Sequence, residues 1–97
     1  MIMGIRTLET PGARSRDLTQ GDPPWQVILF NDEVHSFDQV ILQLQRATGC
    51  SLERAFELTM RVHQNGKAAV FFGTQEKCGR VASILESIGL ATQVEKT

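Results

Sequence analysis

The stretch W-Q-V-I-L-F-N-D-E-V-H-S-F-D-Q-V-I, residues 25–41, decides the fold. Its opening, Trp25 to Phe30, is aromatic, aliphatic and β-branched, the composition of a strand. Asn31-Asp32 breaks the run. Ser36, with Gln39 three positions on, signs a helix start: the hydroxyl accepts the third helical N–H, and the glutamine side chain answers the cap's own N–H. A strand therefore gives way to a helix across a short hinge that carries an amide and two carboxylates, Asn31, Asp32 and Glu33.

Working outward, Phe37, Val40, Ile41, Leu44 and Ala47 recur at helical spacing until Gly49 stops them, leaving Leu42 off the stripe. Ser51 caps a second helix over 52–64. On it Leu52, Ala55, Phe56, Leu58, Thr59, Met60, Val62 and His63 fill one arc, and that breadth predicts a helix covered on two sides. Asn65-Gly66 ends it through the left-handed conformation. A-A-V-F-F (68–72) reads as a second strand. Thr74 caps a third helix whose Cys78, Val81, Ala82, Leu85 and Ile88 share a stripe, and L-A-T-Q-V-E (90–95) is a final strand. The expected class is α+β: a single domain ordered β-α-α-β-α-β, a three-stranded antiparallel sheet with three helices packed on one face. That arrangement buries all the stripes together.

Before this domain the pattern fails. Residues 1–24 hold all three prolines (Pro11, Pro23, Pro24) and no helical or strand period. They are expected to form a flexible extension to a domain over 25–97. They lack the apolar core of a secretory signal and are too acidic for an organellar transit peptide.

Composition narrows the function classes. With 41% apolar and 22% charged residues and a net charge of −1, the 97-residue chain has no electrostatic footprint for nucleic acid or an anionic membrane. No apolar run reaches the roughly 20 residues of a membrane span. Two cysteines, Cys50 and Cys78, fit small buried hydrophobes in a reducing compartment better than a disulfide framework. His35 and His63 lack the spacing of a metal site. There is no glycine-rich phosphate loop and no G-x-S-x-G elbow.

Two features remain for chemistry, each with two readings. His63, in mid-arc of an apolar face, is either a core histidine bonded to a carbonyl or a cleft histidine lending a lone pair to a ligand. Asn31 and its neighbours either form an Asx turn or gather acceptors for an ammonium group, whose three donors want three partners. The residues alone imply a small binding domain, with no catalytic group.

Strand, N-D-E, two helices and then V-H-x-x-G-K-A at 62–68 together resemble ClpS, the adaptor that delivers N-degron substrates to the Clp protease. The resemblance implies recognition of a free α-amine and a large hydrophobic first residue, Leu, Phe, Tyr or Trp. It implies amine binding by Asn31, Asp32 and a neutral His63. The hydrophobic pocket it implies is formed by Phe37, Val40, Ile41, Thr59, Met60, Val62 and Leu90. Glu76 matches a position on the family's surface for the N-terminal domain of a Clp AAA+ unfoldase, of ClpA or ClpC type. No enzyme activity, cofactor, nucleic acid or membrane is implied, and the setting is the bacterial cytoplasm or the plastid stroma. The sequence departs from the family at Phe37 and Thr59, where methionines are common, at His35, where a threonine is, and at Val34, where an aromatic is. The ribosomal stalk protein's C-terminal domain resembles this family in fold, so a non-catalytic assembly module is the alternative. A cysteine–histidine hydrolase is a third reading and would need a reactive thiol.

Overall fold

The computed structural model describes residues 24–97; the extension expected over 1–24 lies, up to residue 23, outside the described residues. The element order is β1 (Trp25–Phe30), α1 (Phe37–Thr48), α2 (Leu52–Asn65), β2 (Lys67–Gly73), α3 (Gln75–Glu86) and β3 (Thr92–Lys96). The expected β-α-α-β-α-β order is the observed one.

β1 is the central strand of a sheet ordered β2-β1-β3 and runs antiparallel to both neighbours. Alternation along it turns Val27 and Leu29 inward, where neither is exposed at all. Phe71 and Val94 flank Val27 from the two sides. A register shift in β2 opposite Val27/Ile28 bends that strand.

The helices begin as their capping residues dictate. Ser36 accepts from the Gln39 N–H while the Gln39 side chain accepts from the Ser36 N–H, a complete capping box. Ser51 and Thr74 cap α2 and α3 in the same manner, by accepting from Arg54 and Lys77. Gly66, at φ 86°, ends α2 and turns the chain straight into β2.

α3 lies on all three strands, α2 on β2, and α1 packs against α2 and α3. Their buried residues close one core over the Val27–Leu29 face, with Leu44, Leu58 and Leu85 among them. The two-sided cover expected of α2 is corrected here. Ala55, Leu58, Thr59 and Val62 are buried, but Leu52 and Phe56 are 61% and 52% exposed. Only α1 and β2 reach α2 closely, so its arc is wider than its cover. Leu42 stands in solvent, off its stripe. Among the described residues no helix is long and apolar enough to cross a membrane.

Candidate functional site

The end of β1 is held from two sides. The Phe30 N–H donates to the Ala91 carbonyl at 3.1 Å, and the Asn31 N–H donates to the Gly66 carbonyl at 2.9 Å. The first bond joins the strand end to the approach to β3, the second to the α2–β2 turn. Three segments distant in sequence thus meet at one end of the sheet. A cleft of about 230 Å³ opens there.

Its lining joins most of the expected residues: Asn31, Asp32 and His63 at the polar rim, with Phe37, Val40, Thr59, Val62 and Leu90. Leu29, Phe30, Glu33 and His35 complete it. Two expected pocket residues lie elsewhere. Ile41 is turned into the core and is 8% exposed, so Val40 carries that side of the cleft. Met60 faces a shallow groove with Phe56 and Glu57, because consecutive helical residues stand about 100° apart and Met60 is turned off the face that Thr59 presents to the cleft. Glu76 lies apart from the cleft, in the first turn of α3, where it pairs with Arg80 at 3.3 Å.

His63 is exposed, which answers the first of the two open questions: it is not a core histidine. It sits in the last turn of α2, its ring edge-on to Phe37 with centroids 5.1 Å apart and planes at 71°. Phe37 therefore braces the imidazole. Neither that ring nor the Asn31 side chain makes a hydrogen bond among the described residues.

Asp32 is differently occupied. Its Oδ1 accepts from the N–H groups of Val34 at 3.0 Å and His35 at 2.9 Å, an Asx turn. Its Oδ2 lies 2.8 Å from Nδ1 of His35, whose Nε2 lies 2.6 Å from the Ile88 carbonyl. Carboxylate and carbonyl are both acceptors, so both ring nitrogens must carry protons. The Ile88 carbonyl first, and then the Asp32 carboxylate, hold the His35 ring above the usual histidine value, against its burial. The His35 N–H is foremost in holding the Asp32 carboxyl below the usual carboxylate range.

Thr59 is 3% exposed and its hydroxyl donates to the Ala55 carbonyl at 2.8 Å, so it adds no free donor to the cleft. Lys67 Nζ lies 5.8 Å from the centroid of the Phe30 ring, placing a second cation, besides His35, near the rim that carries Asp32 and Glu33. The hydrolase reading finds no support. Cys78 is fully buried and burial pushes its thiol up, the reverse of what a nucleophile requires. Cys50 is a free, half-buried thiol. The described residues contain no group of three or more side chains suited to a metal ion.

The sequence marks His35 only as a departure from the family's threonine; its role is not legible there, because its second partner, Ile88, lies 53 positions away. Glu33 was visible as part of the N-D-E hinge. Phe30 follows from adjacency to Asn31.

A family model described as "ATP-dependent Clp protease adaptor protein ClpS" matches residues 20–93. The chain is 34% identical over 79 residues to the ATP-dependent Clp protease adapter protein ClpS of Corynebacterium jeikeium, spanning 81% of this chain and 78% of that one. It is 30% identical over 69 residues to the human E3 ubiquitin-protein ligase UBR2, covering 71% of this chain but only 4% of that protein's length. Its fold overlays on Agrobacterium tumefaciens ClpS2, solved bound to L-phenylalaninamide, with a TM-score of 0.67, covering 79% of this chain and 100% of the other. Sequence identity in that pair is 19%, so the likeness is one of fold.

Proposed function

This chain belongs to the ClpS family of ATP-dependent Clp protease adaptor proteins, and from that premise we propose that it receives proteins by their first residue. The family is one of adaptors, without catalysis. The ligand would be a free α-amine followed by a large hydrophobic side chain, of the Leu, Phe, Tyr and Trp class.

The observation that carries this reading is one cleft that joins an apolar interior to a rim where Asn31 and His63 offer side-chain acceptors with no hydrogen bond among the described residues. Asn31 and a neutral His63 would accept from the α-ammonium. Asp32, its oxygens already bonded to the hinge and to His35, would act at longer range or through water. Glu33, exposed on the same rim, adds a second negative charge. Phe37, Val40, Thr59, Val62 and Leu90 would surround the side chain, with Ile41 supporting from behind. A volume of about 230 Å³ falls below the roughly 300–1,000 Å³ of sites for drug-sized molecules and suits one side chain. The phenylalanine amide held by the Agrobacterium protein is such a group.

Burying a large apolar side chain contributes roughly 1.5–3 kcal/mol. Each hydrogen bond to a charged group adds roughly 1.5–3 kcal/mol. After the cost of association, affinity should be on the order of micromolar. Neither half suffices alone.

The bound protein would then pass to the N-terminal domain of a Clp AAA+ unfoldase, with Glu76 and its exposed surroundings on α3 as part of the docking surface. Residues 1–24 would take part in that transfer. The bacterial cytoplasm or the plastid stroma is where such a machine would work. A screen of short peptides varied only at the first residue tests the reading: Phe and Leu should bind, and Ser and Lys should not. Equal binding of all four would contradict it.

A further inference from the structure

We propose that His35 is the positioning residue of this cleft: as an imidazolium it clasps the Asn31–Ser36 hinge to the turn after α3, fixing the Asn31 rim and the Leu90 wall relative to each other. The proposal deepens the N-terminal-residue reading and rests on it.

The clasp stands on geometry. The His35 side chain is only 12% exposed and reaches an acceptor at each end, Asp32 at 2.8 Å and the Ile88 carbonyl at 2.6 Å. The ring lies over Gly89, where an added Cβ would come within 3.6 Å of Cε1. Leu90, the next residue, is buried and lines the cleft. α3 itself has no basic residue in its last turn, so the negative end of that helix takes its cation from the hinge. The turn is also a firm anchorage. Gln43, a buried glutamine of α1, donates to the Ile84 carbonyl at 2.7 Å and to the Ser87 hydroxyl at 3.3 Å. His35 thus ties a largely exposed hinge to a part of the fold already fastened.

The charged groups around the ring are few. Asp32 and Glu33 belong to its own loop. Arg46 of α1 lies with His35, Gln43 and Ile88 around a small depression on the side away from the cleft, where it donates to Gln43 at 3.2 Å, and His63 of α2 shares the cleft. The turn offers only its carbonyl. When the ring loses a proton, one nitrogen presents a lone pair to an acceptor less than 3 Å away. The Asp32 carboxylate is the stronger acceptor and keeps the Nδ1 proton, so the proton lost is the one on Nε2; its contact with the Ile88 carbonyl must then open, and hinge and turn separate. Release of the Asp32 charge toward a ligand ammonium works the other way, but across a wet rim it is screened.

The test uses the whole chain, ¹⁵N-labelled at histidine. The ring nitrogens of His35 are followed by NMR against pH, free and with a saturating Phe-initiated peptide. Affinity for the same peptide is measured in parallel for wild type and His35→Gln. Free protein should show both nitrogens still mostly protonated at the ordinary histidine value of 6.5. By linkage, an about tenfold coupling between ring charge and peptide moves the titration midpoint up by about one pH unit on binding. His35→Gln should bind about tenfold more weakly near pH 6, and the two proteins should converge once the ring has lost its proton. Taking their ratio cancels the titration of the peptide's own amine. A midpoint unmoved by peptide, a ring neutral at about pH 6, or a variant that binds as well as wild type there would overturn the role of His35. Should Gln fail to fold, the wild-type midpoint alone decides. Failure of wild type to bind at any pH would instead contradict the receptor reading beneath it.

Discussion

At the scale of single residues, His63 and Asp32 show why identity and role separate. His63 lies on the apolar arc of α2 by periodicity, yet it stands in solvent beside Phe37 because the chain ahead of it turns into β2. A helical wheel reports direction and not cover. For Asp32 the sequence leaves an Asx turn and an ammonium site open, and the turn is what forms: its three hydrogen bonds are to Val34 and His35. Replacing His63 with Ala should weaken binding of a Phe-initiated peptide by roughly 10-fold or more, the effect of one lost bond to an ammonium. Its folding stability should change by no more than about 0.5 kcal/mol, as at other exposed sites. Calorimetric titration and a denaturant curve on the same variant separate the two. The His35–Asp32 pair sets a pH dependence whose sign follows from its shifts. A histidine held above its ordinary 6.5 contributes fully below that value and loses its contribution as pH rises through the folded value. A carboxylate held below its ordinary 3.8 contributes above that value and loses its contribution as pH falls through the folded one. The difference in urea midpoint between wild type and His35→Gln should therefore be greatest between 3.8 and 6.5 and shrink on either side.

At the scale of elements, the capping residues were the most legible signals because they act within one turn. Ser36 with Gln39, Ser51 and Thr74 all start the helices that their positions imply. Ser36→Ala should cost about 1 kcal/mol in a denaturant curve and loosen the first turn of α1, which carries Phe37 and Val40. The width of the α2 arc was misleading for the opposite reason: cover depends on which elements arrive from far along the chain. Phe56→Ser, on the uncovered side, should leave stability within about 0.5 kcal/mol of wild type. Leu85→Ala, with no exposure at all, should cost about 2–5 kcal/mol. A comparable loss from Phe56→Ser would mean that α2 is covered after all.

At the scale of the whole molecule, the site exists because a three-stranded sheet with β1 at its centre delivers the hinge, the end of α2 and the approach to β3 to one end of the sheet. The order of elements could be read from the chain; this convergence could not, since the bonds from Phe30 to Ala91 and from Asn31 to Gly66 join segments with no local relation. Among the described residues, those lining the cleft run from Leu29 to Leu90. A chain of residues 24–97 should therefore bind Phe-initiated peptides as tightly as the full chain, within about twofold, while handing them to an unfoldase less well. The most direct measurement compares one Phe-initiated peptide with its N-acetylated twin. With its donors intact, the free-amine form should bind at roughly micromolar affinity and the acetylated form at least about 10-fold more weakly. Equal affinity for the two would contradict the amine-receiving cleft.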